Sequence, residues 1–274
     1  DAENHCIKRI TPGGCVSTFA GSGTPSCVDG QGAAAGFHHP KGIVSLGDRG
    51  FAVCDATNHR IRLVTSQGHV TTLTGSSAAS YTDGEACSAT FNQPVEIAVD
   101  ARGTLYVVDA MNKRVRVIKT DSDGFTMVST LAGSGGPVNV AFSNPSGIAV
   151  DGKGLILIAD AAAHHLHAIH EGKTWVFAGG TGSAGSTNGT GPQAKFTNPR
   201  TLLVGANGMC LVAQDHCIRR IAANLSPNVV SLSVSPSSFH MDLGSMLEAP
   251  AEETFADVTF LVEDEALPAH RCVL

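Results

Sequence analysis

Asp55-Ala56-Thr57-Asn58-His59-Arg60-Ile61-Arg62-Leu63-Val64 is a stretch that this chain writes several times. Residues 1–10 read Asp-Ala-Glu-Asn-His-Cys-Ile-Lys-Arg-Ile, and residues 109–118 read Asp-Ala-Met-Asn-Lys-Arg-Val-Arg-Val-Ile. Residues 160–169 are a worn copy, with His165 and His167 in the arginine places, and residues 215–221 are a shortened one. A fixed internal period is the mark of a repeat architecture and is read before any single motif. A second marker, Phe-x-x-Pro, begins at Phe37, Phe91, Phe142 and Phe196, at spacings of 54, 51 and 54 residues.

Each period holds four short apolar runs. In the cleanest one, residues 96–100, 104–109, 113–118 and 127–131 read as strands, separated by Asp- and Gly-bearing turns. Four antiparallel strands per unit, repeated radially, make a β-propeller. A solenoid repeat is mostly shorter. Runs such as Leu155-Ile156-Leu157-Ile158 are apolar at every position, which suits strands covered on both faces by neighbouring blades. The third strand alternates, with Arg60 and Arg62 on one side and Ile61 and Leu63 on the other. It is expected toward the outside, with the arginines at the surface. The chain reads as one half-repeat (5–20) and four complete ones (42–74, 96–132, 147–178 and 201–234), about four and a half blades.

These residues resemble NHL repeats. Gly-Ile-Ala-Val-Asp (147–151), Leu-Tyr-Val-Val-Asp (105–109), Asn-His-Arg-Ile-Arg (58–62) and Val-Thr-Thr-Leu-Thr-Gly (70–75) carry the likeness, with the loops Asp29-Gly30-Gln31-Gly32-Ala33 and Asp83-Gly84-Glu85-Ala86. The resemblance covers residues 1–234 and implies an all-β propeller of five or six blades. Residues 235–254, rich in Ser, Pro and acid, read as a linker. Residues 255–274, with Asp257-Val258-Thr259-Phe260 and Ala269-His270-Arg271-Cys272-Val273-Leu274, resemble the opening of a BTB/POZ domain. The chain starts in mid-repeat and stops where that domain's first helix is expected, so it reads as a fragment.

Composition limits the function. Of 274 residues, 42% are apolar and 15% charged, and 31 are glycine, a core-forming balance with many turns. Residues 1–234 carry a net charge of +1 and residues 235–274 of −7. A near-neutral body does not favour a nucleic acid partner. The eight cysteines contain no Cys-x-x-Cys pair, and a chain this long needs no disulfide staples. That reading places the protein in the cytoplasm or nucleus. No apolar run is long enough to span a membrane.

The sequence offers few candidates for chemistry. His164, His165, His167 and His170 invite a metal, but on a strand only His165 and His167 share a face. They fall in the arginine places and read as decoration of an outer strand. Asp55, Asp109 and Asp160 recur at strand ends and read as acceptors for backbone N–H groups of the following turn. The glycine-rich loops lack the Gly-Lys-Ser/Thr of a phosphate loop. No cofactor, metal ligand or catalytic residue is assigned. The expected site is the mouth of the central channel, where the inner strands begin: Lys41, Glu96 and Arg200 carry charge there, with His38 and His39 beside the first Phe-x-x-Pro turn. The expected function is a non-enzymatic scaffold whose propeller binds a protein partner. The BTB resemblance implies a homodimer and recruitment of a cullin-type ubiquitin ligase in a longer protein. The alternatives are RNA binding and a metal-dependent lyase or hydrolase of the six-bladed type.

Overall fold

The computed structural model describes residues 1–180, 182–205, 208–223 and 225–227, and the backbone of 258–262 and 265–269. In chain order the strands are β1 (Ile7–Ile10), β2 (Val16–Ala20), β3 (Gly30–Gln31), β4 (Pro40–Ser45), β5 (Phe51–Asp55), β6 (Arg60–Val64), β7 (His69–Gly75), β8 (Gly84–Glu85), β9 (Pro94–Val99), β10 (Leu105–Asp109), β11 (Arg114–Thr120) and β12 (Thr126–Gly133). They continue with β13 (Pro145–Val150), β14 (Ile156–Asp160), β15 (His165–His170), β16 (Lys173–Ala178), β17 (Thr201–Val204), β18 (Met209–Gln214), β19 (Cys217–Ala222), β20 (Val258–Val262) and β21 (Glu265–Ala269). The sheets follow the repeat: β4-β5-β6-β7 with β3 on its edge, β9-β10-β11-β12 with β8 on its edge, β13-β14-β15-β16, and β17-β18-β19. These are four antiparallel blades in a propeller arrangement. β1 and β2 form a two-stranded sheet at the place of a third and fourth strand.

The chain divides into two compact units, Asp1–Lys8 with Thr18–Ser231, and Arg9–Ser17 with Leu232–Leu274. The blades belong to the first. In the second, β20 and β21 pair antiparallel, with Val258 opposite Ala269. The fourth strand expected before residue 234 and the linker at 235–254 lie outside the described residues. So does the BTB-like segment, apart from the backbone of β20 and β21.

The core lies between blades, one apolar layer per junction. Cys54, Ile61, Phe91, Ile97 and Val107 fill the first–second junction. Val108, Phe142, Ile148 and Ile158 fill the second–third, and Leu157, Phe196, Leu202 and Val212 the third–fourth. Phe37, Val53 and Val70 form a further layer with Ala20, and Ile7 and Phe19 pack against it. Each Phe-x-x-Pro phenylalanine is a core plug, at most 4% exposed. Burying one contributes roughly 1.5–3 kcal/mol. Every residue of β14 is buried, as the unbroken apolar run requires.

The third strands depart from expectation. Arg62 and Arg116 are not at the surface but wholly buried, each 0% exposed. Arg62 Nη1 donates to Asp55 Oδ2 at 2.7 Å and to the Gly36 carbonyl at 3.0 Å. Its Nη2 donates to the Val28 carbonyl at 3.0 Å and to Asp29 Oδ1 at 2.6 Å. Arg116 repeats the pattern on Asp109, Thr90, Thr82 and Asp83. A buried charge is tolerated only when it is paired and hydrogen-bonded, and here both terminal nitrogens of each guanidinium are engaged, with only Nε left without a partner. The same network fixes the Asp-Gly loops: Asp29 also accepts from Thr72, and Asp83 from Thr130. The pinned loops supply β3 and β8, two extra edge strands that periodicity alone does not reveal.

The Asp and His of the repeat are also structural. Asp55, Asp109 and Asp160 accept backbone N–H groups chiefly from the preceding Phe-x-x-Pro turn, at His38, Asn92, Ser143 and Asn144, rather than from the following turn as expected. The following turn adds the Asn58 and Asn112 amides, on Asp55 and Asp109. His5, His59 and His164 adopt left-handed backbone at φ 52°, 56° and 57°. Each offers Nδ1 to a backbone N–H of the next repeat, at His39, Gln93 and Asn198. The signature histidine thus links one blade to the next.

Arg62→Ala should leave Asp55 buried without its cation, costing about 3–5 kcal/mol. Thermal denaturation should show a fall in Tm on the order of 10 °C. A fall no larger than that of an exposed-site control such as Lys119→Ala would refute the assigned role of the network.

Candidate functional site

The inner strands β4, β9, β13 and β17 pack side by side in blade order. They begin at the same end because the Phe-x-x-Pro turn precedes each. Small residues let them crowd: a side chain at Gly42 would meet the Glu96 backbone at 2.6 Å, and one at Gly147 would collide with the Arg200 carbonyl. Where these starts converge there is a cavity of about 430 Å³, lined by Lys41, Gly42, Val95, Glu96, Ala110, Asn144, Pro145, Ser146, Arg200 and Thr201. Three residues picked from separate repeats, Lys41, Glu96 and Arg200, therefore meet around one opening. Asn144 and Ser146 add uncharged polar groups; Ser146 follows its Phe-x-x-Pro proline as expected of a mouth residue, while Asn144 was not singled out by the sequence.

The electrostatics are uneven. Lys41 is exposed. Arg200 Nε lies 3.4 Å from Asp215 Oδ1, and its side chain is 66% exposed. Glu96 is half-buried, and loss of water around it raises its pKa to about 7, against the pull of the Ile97 N–H at 3.2 Å. Near neutral pH Lys41 and Arg200, the latter shared with the Asp215 carboxylate, therefore face a carboxyl that is only partly ionised.

His38 and His39 do not line this cavity. They sit with His5, which lies in the turn before β1. The His5 and His39 rings stack at 4.8 Å, and the His5 and His38 rings meet edge-on at 5.4 Å. His39 Nε2 is 3.7 Å from Glu3 Oε2.

The histidine run of β15 also differs from expectation. His165 is 8% exposed rather than a surface ornament. Its Nε2 lies 2.9 Å from Nε2 of His167. Burial, then the facing His165, pushes the His167 pKa down to about 4, against the opposing pull of Asp160. Both residues share a face, as strand geometry predicts. Their convergence was not legible, because it needs the arginine's partners to be missing.

The basic residues that would serve RNA are largely engaged. Arg116 is buried, Arg114 lies 3.9 Å over the Tyr81 ring, and Arg219 lies over Phe196 while bonding Asn188 and the Lys195 carbonyl. Among the described residues, no helix is long and apolar enough to cross a membrane, and no group of three or more His, Cys, Asp or Glu gathers as a metal site.

Comparison with known proteins agrees with the architecture. Residues 142–169, from the Phe142 turn into β15, match the NHL repeat. The chain is 31% identical over 104 residues to the chloroplastic protein SUPPRESSOR OF QUENCHING 1 of Arabidopsis thaliana. The match covers 38% of this chain and spans a tenth of that protein's length. Virginiamycin B lyase of Staphylococcus aureus superposes with a TM-score of 0.52 at 15% identity, over 85% of this chain and 65% of the lyase. A gluconolactonase from Xanthomonas campestris superposes at 0.53 with 12% identity, over 84% of this chain and 70% of that one. At such identities the likeness is of fold alone. Together the repeat match and the blades support the NHL-propeller reading.

Glu96→Gln should raise Tm by a few degrees at pH 8 and by less at pH 5. The folded pKa lies above the unfolded one, so the carboxyl costs stability progressively as pH rises from 4.5 to about 7, and the full cost is present at pH 8. At pH 5 it is already neutral in the fold, as glutamine is. Equal shifts at both pH values would contradict this account of the cavity.

Proposed function

We propose that the chain is a non-catalytic binding module, and that the cavity at the starts of the inner strands holds an anionic group of a protein partner. The observation that carries this is the meeting of Lys41, Arg200 and Glu96 around one open cavity. Its volume suits a side chain or chain terminus rather than a whole domain. Two cations beside a carboxyl poised near neutrality favour an acidic guest, more so when Glu96 is protonated. Arg200 offers the fork geometry that carboxylates prefer.

An enzyme is the weaker reading. Among the lining residues Glu96 is the sole acid, and no histidine accompanies it. General acid–base hydrolysis and calcium-assisted hydrolysis both ask for more converging groups. Dimerisation and recruitment of a cullin rest on the sequence pattern of residues 255–274. A pull-down that recovers no cullin would remove that part.

The test is selection of a random phage-displayed peptide library on the full chain. Acidic peptides should be enriched. Lys41→Glu combined with Arg200→Glu should weaken the best of them at least about tenfold. Binding should be tighter at pH 6 than at pH 8, and Glu96→Gln should flatten that dependence. Selection of peptides without acidic residues, or binding indifferent to the double charge reversal, overturns the proposal. Ester or lactone hydrolysis that is lost on Glu96→Gln would transfer the cavity to the enzyme reading. Salt-sensitive RNA retention on a filter would transfer the chain to the RNA reading.

A further inference from the structure

In the first two blades a guanidinium stands beside the repeat's buried carboxylate, Arg62 on Asp55 and Arg116 on Asp109. The third blade keeps the carboxylate and loses the guanidinium. Asp160 is 0% exposed. It also loses the amide, since Ala163 stands where Asn58 and Asn112 stand in their repeats. Backbone N–H groups of Ser143, Asn144 and Ala163 reach it at 2.7, 2.8 and 3.3 Å. They satisfy its oxygens but bring no full positive charge.

The loop that clamps the arginine elsewhere is also short here. Gly133 and Phe142 are nine positions apart, whereas Gly75 and Phe91 are sixteen apart. The aspartate corresponding to Asp29 and Asp83 is gone with it. His165 and His167 occupy the places of Arg60 and Arg62. Their rings meet at 69°, with centroids 4.4 Å apart and Nε2 atoms 2.9 Å apart. His165 Nδ1 lies 3.0 Å from the Ala163 carbonyl, so that nitrogen carries the hydrogen and Nε2 presents a lone pair. His167 packs edge-on against Phe142 at 5.3 Å, which fixes its ring. Its Nε2 is 4.0 Å from Asp160 Oδ2.

We infer that His165 and His167 form a two-imidazole chelate for a divalent transition-metal ion of tetragonal preference, Cu²⁺ or Ni²⁺, whose charge Asp160 balances. Imidazole suits these ions. Metal–nitrogen bonds of about 2.0 Å at a right angle place two nitrogens about 2.8 Å apart, close to the spacing found. A tetrahedral Zn²⁺ asks for about 3.3 Å, and the pair would have to open. Neutral imidazole is the form that binds metal. Water completes the coordination, so the site is weaker than a four-ligand structural one. The His167 side chain is 12% exposed, which leaves the ion a way in. The bound cation does for Asp160 what Arg62 does for Asp55.

The test uses the full chain without an affinity tag, with exposed thiols alkylated, titrated with Ni²⁺ by calorimetry. One equivalent should bind, and bound Ni²⁺ should raise Tm. His165→Asn and His167→Asn should each lower the affinity at least about tenfold. His167→Arg, which restores the residue of the other blades and keeps the fold testable, should abolish it. His164→Asn combined with His170→Asn should leave it unchanged. Unaltered binding in the His165 and His167 variants, loss in the His164/His170 variant, or no saturable binding in the parent chain would overturn the proposal. The pair would then share a proton and nothing more.

Discussion

A buried guanidinium holds each of the first two blades together. Arg62 and Arg116 take a charge out of water, which is tolerated because two carboxylates and two carbonyls meet the terminal nitrogens of each. Each joins the aspartate that ends the second strand, the carbonyls of the loop before the blade, and the aspartate of that loop. The Asp-Gly loop, the extra edge strand and the plug phenylalanine are placed through this one group. The fourth blade varies the same theme with Arg219 and Asn188. Where the loop shortens, at the third blade, the arginine disappears with it.

This gives the repeat's polar residues a structural role. Asp, Asn, His and Arg recur because a propeller blade must fasten its turns and its neighbours without a continuous sheet across the junctions. Chemistry is left to positions the repeat does not fix. At the mouth of the cavity the residue after each Phe-x-x-Pro proline is Lys41, Val95, Ser146 or Arg200, and the next is Gly42, Glu96, Gly147 or Thr201, so two structural places carry differing side chains. The backbone around them is constant and crowded, so their differences can be spent on a guest. His165 and His167 arise in the same way, as departures from the repeat.

The blades were legible because strand periodicity and turn residues are local, and the four copies reinforced each other. The mouth was legible because the repeat fixes the place of each strand start, so Lys41, Glu96 and Arg200 follow from alignment of the chain with itself. The burial of Arg62 was not. Alternation along β6 puts Arg60 and Arg62 on one face, and charge argues for the outside. Only the folding back of residues 28–36 over that face makes it an interior. His38 and His39 were misplaced for a related reason: the left-handed turn at His39 sets them against His5 instead of the channel.

The sequence by itself determined the architecture, an all-β propeller of four-stranded units with charged residues at one end of its inner strands. Hydrophobic period and turn chemistry act over a few residues, and repetition multiplies the signal. Only the tertiary structure decided which charges are buried, which loops add strands, and which histidines face each other. Those outcomes depend on contacts between residues 26 to 47 positions apart, such as Arg62 with Gly36 or Thr130 with Asp83, where desolvation rather than local preference sets the result.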